Sequence, residues 1–314
     1  MISNINFPTW PKFYKDDISI ATKILESGKV NYWTGEEGKL FEKEFAKGFD
    51  SKYAIALSNG SNALTTAYLS LDIKEGDEII TTPRTFIATA SCAVLLGAKP
   101  IFADVDKDSG CITAENIEPL ITKKTKLISV VHLGGWPADM DSICDLAKSY
   151  NLKVVEDCSQ AHGAKINNIN VGSFGDVGTW SFCQEKIMST GGEGGMVTTS
   201  DKQIMDSLWS IKDHGKTLNS VFKKNHPEGY RWVHERIGTN YRMTEIQSAI
   251  GRNQLRKLSI WHEIRKRNSE ILLNHLKNIN SLRIAMPKNG FEHAWYKFYA
   301  YINFESLQSD WNRN

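Results

Sequence analysis

From residue 53 onward the chain alternates short, almost wholly apolar runs with longer segments whose apolar positions recur at helical spacing. Tyr53–Ser58, Glu78–Thr82, Pro100–Val105, Lys126–Leu133 and Lys153–Cys158 read as strands. Several are nearly continuous in Ile, Val, Leu and Ala, which suits strands covered on both faces and hence a parallel sheet. Between them Ser61–Leu71, Thr85–Leu96, Ala114–Ile121 and Asp139–Ser149 read as helices, the third with Thr113 as its N-cap. Repeated strand–helix–strand units predict right-handed crossovers and an open α/β sheet. Val177–Phe182 and Gly195–Thr199 follow as two more strands with a Gly-rich link between them.

After Gly251 the pattern changes to a strongly charged helix, Arg252–Leu276. Arg283–Ala285 and the aromatic run Ala294–Phe304 then read as strands of a smaller domain. The expected division is a large domain over 1–250 and a small C-terminal α+β domain over 251–314. Two strands with open edges are unstable alone. The small domain is therefore expected to be incomplete, or to be completed by another chain.

Composition narrows this without redirecting it. The 314 residues are 41% hydrophobic and 24% charged, a globular balance that excludes a disordered chain. A net charge of +2 gives no reason to expect a nucleic-acid or membrane partner. Lys123-Lys124 and Arg265-Lys266-Arg267 read as solvated faces. No apolar run reaches the roughly 18 residues of a membrane span. Met1-Ile2-Ser3-Asn4 shows no basic or apolar leader pattern. Five cysteines with no CxxC pair read as reduced thiols, consistent with the cytoplasm. His132 and His162 lie at no metal-ligand spacing, so no metal is expected.

Three segments fall where strands feed into loops, the place where open α/β sheets bind ligands. Ser58-Asn59-Gly60-Ser61-Asn62-Ala63 follows a strand and opens a helix. Gly60 allows close backbone approach, and free amides at a helix start suit a phosphate. A plain turn with a Ser or Asn cap fits the same residues. In Val154-Val155-Glu156-Asp157-Cys158 a carboxylate ends a buried strand, which is costly unless a cation or hydrogen bonds accompany it. Asp157 either faces a protonated ring nitrogen or caps a following helix. Lys186 lies between the strand end Ser181-Phe182 and the turn Gly191-Gly192-Glu193-Gly194-Gly195. A lone lysine is ordinarily surface; one held in such a cleft can serve as a nucleophile. Phosphate cup, ring-nitrogen carboxylate and nucleophilic lysine together answer the demands of pyridoxal 5′-phosphate. Phe86, in Thr82-Pro83-Arg84-Thr85-Phe86, is available to stack on its ring or to pack in the core. Trp33, Trp136 and His214 are loop candidates for a substrate cleft.

At these residues the chain closely resembles the DegT/DnrJ/EryC1/StrS family of sugar aminotransferases. The likeness runs from about Tyr32 to Tyr301 and includes Trp33-Thr34-Gly35, Thr82-Pro83, Val131-His132-Leu133, Pro137-Ala138-Asp139-Met140-Asp141, Glu156–Gly163 and Asn240-Tyr241-Arg242-Met243. It implies the fold type I, aspartate-aminotransferase-like architecture, with a mostly parallel sheet. By resemblance, Lys186 is the lysine that joins the cofactor covalently and Asp157 its ring-nitrogen partner. Gln160 lies near the phenolic oxygen and Phe86 stacks on the ring. Ser181, with the amides of Gly60 and Ser61, holds the phosphate. Asn240 reaches the phosphate of a neighbouring subunit's cofactor, which implies a homodimer with shared sites. The implied substrates are L-glutamate and a nucleotide-linked keto sugar, a 4-keto-6-deoxy sugar above all, for surface polysaccharide or glycoconjugate synthesis. A related group dehydrates sugars at C3 on the same fold but has His at the lysine position. The chain departs from the family in Asn59-Gly60-Ser61, where Ser-Gly-Thr is commoner. It also stops where family members continue through the small domain.

Overall fold

The apolar runs assemble into one seven-stranded sheet whose neighbouring residues point to opposite, equally covered faces. The computed structural model describes residues 9–222, 234–307 and 311, so Met1–Asn4 lie outside the described residues. In chain order the strands are β1 (Tyr53–Leu57), β2 (Glu78–Thr81), β3 (Lys99–Phe102), β4 (Thr125–Val131) and β5 (Lys153–Asp157). A short hairpin, β6 (Lys165–Ile166) and β7 (Ile169–Asn170), precedes β8 (Val177–Ser181) and β9 (Gly195–Thr199). The spatial order is β1-β9-β8-β5-β4-β2-β3. β9 runs antiparallel to both its neighbours, and the other pairs are parallel.

The two-residue period of a strand divides these residues between two cores. Ile55, Leu57, Ile79, Leu127, Val155, Val177 and Val197 face one side. There they meet α3 (Gly60–Ser70), α4 (Ala88–Leu95) and α7 (Lys202–Lys212), which follow α1 (Lys15–Ser27), α2 (Glu37–Gly48), α5 (Ala114–Ile117) and α6 (Met140–Ser149) in the numbering. Their neighbours Ala56, Trp180 and Met196 face α2 and the long helix α9 (Glu245–Leu276), which comes after α8 (Leu218–Phe222). Ile80, Ile128 and Val154 pack instead with Met140, Ile143 and Ala147 of α6. A sheet clothed in this way explains why its strands read as unbroken apolar runs.

Caps fix the helix starts. The Asn59 side chain accepts from the Asn62 amide at 2.8 Å. Asp201 accepts from Gln203 and Ile204, and Thr244 and Gln247 cap each other reciprocally at the head of α9.

The structure adds the hairpin β6–β7 and the helices α7 and α8 to the expected elements, and differs from the expectations elsewhere. α1 and α2 are further additions, α2 marked by Phe41 and Phe45 on its buried face and by the buried Phe49 at its C-cap, a recurrence every four residues. α4 begins at Ala88, leaving Thr85 and Phe86 in the preceding loop. α9 begins at Glu245, upstream of Arg252, and runs through position 250/251. Ala294–Phe304 is not a continuous strand: the ladder there is β12 (Tyr301–Ile302) on β10 (Leu282–Arg283), while β11 (Phe291–Glu292) pairs with β6. The reason lies in the backbone. Ala294 and Lys297 donate to Gly135 and Gly134, and Trp295 between them has φ +52°, which no strand allows.

Candidate active site

The carboxyl ends of β1, β5 and β8 and the loop after β2 meet around a cavity of about 590 Å³. Gly60, Ser61, Phe86, Asp157, Gln160, Ser181 and Lys186 all line it, joined by Thr89, Ser159, Glu185 and Glu193 among others. Segments up to 134 positions apart in sequence, Asn59 to Glu193, therefore converge, and the volume lies in the range of small-molecule pockets. Asn240 does not line it. That residue is exposed beyond the Asp213–Asn240 bridge and accepts from the Arg242 amide at 3.3 Å. Trp33, Trp136 and His214 do not line it either; Trp33 sits edge-on to Tyr32 and Trp209.

At the β1 end, α3 starts at Gly60, so its first amides face the cavity rim. Asn59 uses its side chain on Asn62, and Ala63 donates to the Asn59 carbonyl. Ala63 thus makes the first intrahelical bond, and the amides of Gly60 and Ser61 are among the four that a helix start cannot satisfy internally. A side chain at Gly60 would stand 2.6 Å from the Ser181 Cβ and 2.9 Å from its Oγ. Glycine is thus required there for the helix start and the β8 hydroxyl to share one small cradle. The Asn59 cap on Asn62 therefore leaves room in this loop for an anion as well.

Asp157 ends β5 with 6% exposure. Its Oδ2 accepts from the Thr89 hydroxyl at 2.8 Å and its Oδ1 from the Ser159 amide at 3.1 Å. No helix follows it, so the helix-cap alternative is excluded; turns lead to β6 instead. The two donors hold the carboxylate in place, and its remaining lone pairs can accept from a ligand N–H. Thr89 is one helical turn beyond Phe86, a spacing that could have revealed it.

Lys186 sits in the turn between β8 and β9, pinned by Phe182 donating to Gly194, Gln184 to Gly192 and Lys186 itself to Cys183. Ile187 and Met188 on its flank are fully buried. Burial depresses the amine below the ordinary lysine range, against the attraction of Asp157. Two residues that sequence reasoning missed hold this lysine. The Trp10 indole donates to its carbonyl at 2.9 Å, and the Tyr296 ring centroid lies 5.4 Å from its Nζ. Both come from segments far from it in sequence, and nothing local signals them.

Gln160 turns its Oε1 to the Gly134 amide at 2.7 Å while lining the cavity. Phe86 is 67% exposed on the cavity wall, open to a ring laid against it and not packed in the core.

Beneath the site, Glu156 is fully buried and accepts from the amides of Gly172, Phe174 and Gly175 and from His132 at 3.0 Å. His132 Nδ1 accepts from the Ala138 amide, so its Nε2 carries the proton given to Glu156. Among the described residues these two and Cys158 form the one His/Cys/Asp/Glu group spaced for a metal ion. Their nitrogens and oxygens are already committed to protein partners, which makes the trio a structural knot. His162 is fully buried between Trp180 and Phe182, and neither ring nitrogen has a partner. Burial pushes its imidazole down to about 3, with Lys186 and Arg265 adding to the effect.

The five cysteines are free thiols, and Cys92, Cys111 and Cys158 are buried. Among the described residues no helix is long and apolar enough to cross a membrane.

Comparison with known proteins places this geometry. The profile of the DegT/DnrJ/EryC1/StrS aminotransferase family matches residues 11–311. GDP-perosamine synthase of Escherichia coli O157:H7 is 42% identical over 253 residues, covering 80% of this chain and 66% of that protein. The crystal structure of the aminotransferase from Psychrobacter cryohalolentis superposes with a TM-score of 0.96 at 48% identity, over 98% of this chain and 80% of the other. The E. coli GDP-4-keto-6-deoxy-D-mannose-3-dehydratase with bound hydrated PLP superposes with a TM-score of 0.87 at 28% identity, over 96% and 80%. The chain thus spans about two thirds to four fifths of the relatives it matches.

Proposed function

Because the chain belongs to the DegT/DnrJ/EryC1/StrS aminotransferase family, we propose that it is a pyridoxal-phosphate-dependent enzyme that moves an amino group from L-glutamate to a nucleotide-linked keto sugar. The observation that carries the proposal is the meeting in one cavity of a depressed lysine, a buried and hydrogen-bonded carboxylate, and a glycine–serine cradle.

These residues fit the cofactor. When bound, pyridoxal phosphate supplies an electron sink for the carbon that loses its proton. The Gly60 and Ser61 amides and the Ser181 hydroxyl take the phosphate, and Phe86 lies against the ring. Asp157 accepts the ring N–H and holds its proton there. Gln160 stands toward the phenolic side. Lys186 is the covalent anchor; once free, its Nζ takes the proton from Cα of glutamate and later returns one to the sugar carbon that receives nitrogen. A depressed amine is suited to this, since burial weakens its hold on the proton and frees more of the basic form.

On this reading 1–250 is the cofactor-binding domain and 251–314 belongs to the small domain. Asn240, on the surface, reaches the phosphate held by a second copy, so the active form is a homodimer with shared sites. A 4-keto-6-deoxy sugar on a nucleotide is the expected acceptor, for surface polysaccharide or glycoconjugate assembly in the cytoplasm. Sugar 3-dehydration is disfavoured by the lysine at 186, where that group has a histidine.

The test is incubation with glutamate and a panel of UDP-, dTDP- and GDP-linked 4-keto and 3-keto sugars, with mass detection of the amino sugar. Lys186→Ala should abolish both the product and the visible absorbance of the bound cofactor. An unchanged visible band sinks the assignment.

A further inference from the structure

The neighbourhood of Lys186 contains a group that the roles above leave unused. Tyr296 presents its ring face to the Lys186 Nζ, with the centroid 5.4 Å away. Its placement is fixed from both sides. Ala294 donates to the Gly135 carbonyl at 2.8 Å and Lys297 to the Gly134 carbonyl at 2.9 Å. Gly134 and Gly135 have φ +64° and +96°, the left-handed region glycine adopts freely. The Gly134 amide in turn binds Gln160 in the cavity wall. Trp295, next to Tyr296, is itself held at φ +52°, a strained conformation for a bulky residue. Its ring is stacked on His293 at 4.2 Å, and its amide donates to His293 Nδ1 at 2.7 Å. Strain of this kind persists only where the surroundings over-determine it. Here it delivers one aromatic ring to the Lys186 amine, with the Lys297 Nζ also 5.8 Å from the same centroid.

We infer that Tyr296 is a positioning residue for Lys186, its ring receiving the lysine ammonium by a cation–π contact whenever the amine is free and carries the proton. The inference rests on the proposed function. A ring face attracts a cation and not a neutral amine, so the contact strengthens when Lys186 takes up its proton and loosens when it gives the proton back. It thereby offsets the burial that disfavours the charged form. The other titratable groups around the amine are Asp157 at the end of β5, Cys183 and Glu185 in its own turn, His162 in the turn after β5 and Lys297 beside Tyr296. Of these, Asp157 already has two donors and is reserved for the ring nitrogen.

The test measures the rate at which full-length, cofactor-free protein captures pyridoxal phosphate, as a function of pH. Capture needs the neutral amine, so the profile reports its proton affinity. Tyr296→Leu should shift the profile to lower pH by roughly half to one and a half units. Tyr296→Phe, which keeps the ring, should leave it in place. Tyr296→Gln repeats the loss of the ring if the leucine variant does not fold, as judged by circular dichroism. An unmoved profile in the ring-less variants, or an equal shift in Tyr296→Phe, overturns the inference. Failure of the parent reading looks different: either the wild type captures no pyridoxal phosphate at any pH, or Lys186→Ala captures it as the wild type does.

Discussion

Asp157 shows how a single residue is made ready by its neighbours. A carboxylate at the end of a buried strand is tolerable because Thr89 and Ser159 donate to it. A buried hydrogen bond to a charged acceptor contributes about 1.5–3 kcal/mol. Thr89→Val should therefore lower stability by about 2 kcal/mol in urea unfolding, and weaken cofactor retention because the carboxylate is no longer held toward the cavity. A stability within a few tenths of wild type would show that the hydroxyl contributes nothing there. His162 and His293 make the opposite case, buried groups that must stay neutral. Burial pushes both imidazoles from the ordinary 6.5 down to about 3. In the folded protein they stay unprotonated while the unfolded chain takes up protons below about pH 6.5. Stability is thus unaffected by them above that pH and falls as pH drops through the window toward 3. Each contributes a slope of about 1.4 kcal/mol per pH unit. His162→Gln should remove one proton's worth of that slope in unfolding measured at pH 6.5, 5.5 and 4.5. Equal steepness in both proteins contradicts the burial argument.

At the scale of elements, the contact of α2 with α9 sets two effects against each other. Gly251 lies inside α9, where alanine would raise helix propensity by about 1 kcal/mol. A Cβ there would stand 2.7 Å from the Phe41 ring and 2.9 Å from Thr190 Cγ2. Phe41 is fully buried and cannot swing aside, so overpacking of roughly 1–3 kcal/mol should win. Gly251→Ala is expected to lower the thermal midpoint, and a raised midpoint would mean that the helices can part freely. The head of α9 offers a cleaner measurement. Thr244→Ala removes the reciprocal cap with Gln247 and should cost about 1 kcal/mol, read as a lower urea midpoint with an unchanged m value.

For the whole molecule, the proposed dimer yields a prediction that no single-chain effect mimics. If each site combines Lys186 of one copy with Asn240 of the other, Lys186→Ala and Asn240→Ala homodimers are each impaired. Mixing them under conditions of subunit exchange should restore activity, because one site of the heterodimer then holds both native residues. No gain on mixing would place Asn240 outside the neighbour's site.

The large-domain sheet was legible because a strand clothed on both faces carries few polar positions, and a local window of sequence registers that directly. The Gly60 loop, Asp157 and Lys186 were legible for a related reason: each ends or follows such a strand, and the three together match one cofactor's demands although each alone has a plainer reading. α2 was missed although Phe41, Phe45 and Phe49 mark it at helical spacing. The strand expected over Ala294–Phe304 failed because its backbone partners, Gly134 and Gly135, lie some 160 positions upstream. Long separations likewise hid Trp10 and Tyr296 from Lys186. By itself, then, the sequence determined which strands are buried, where the chain turns at their ends, and which of those turns hold residue types able to carry chemistry, since these follow from local pattern and residue type. The tertiary structure decided the rest: that seven of the named residues face one cavity, that Lys186 is buried enough to be depressed, and that an aromatic ring stands over its amine. Those depend on contacts between segments far apart in the chain, which no local pattern encodes.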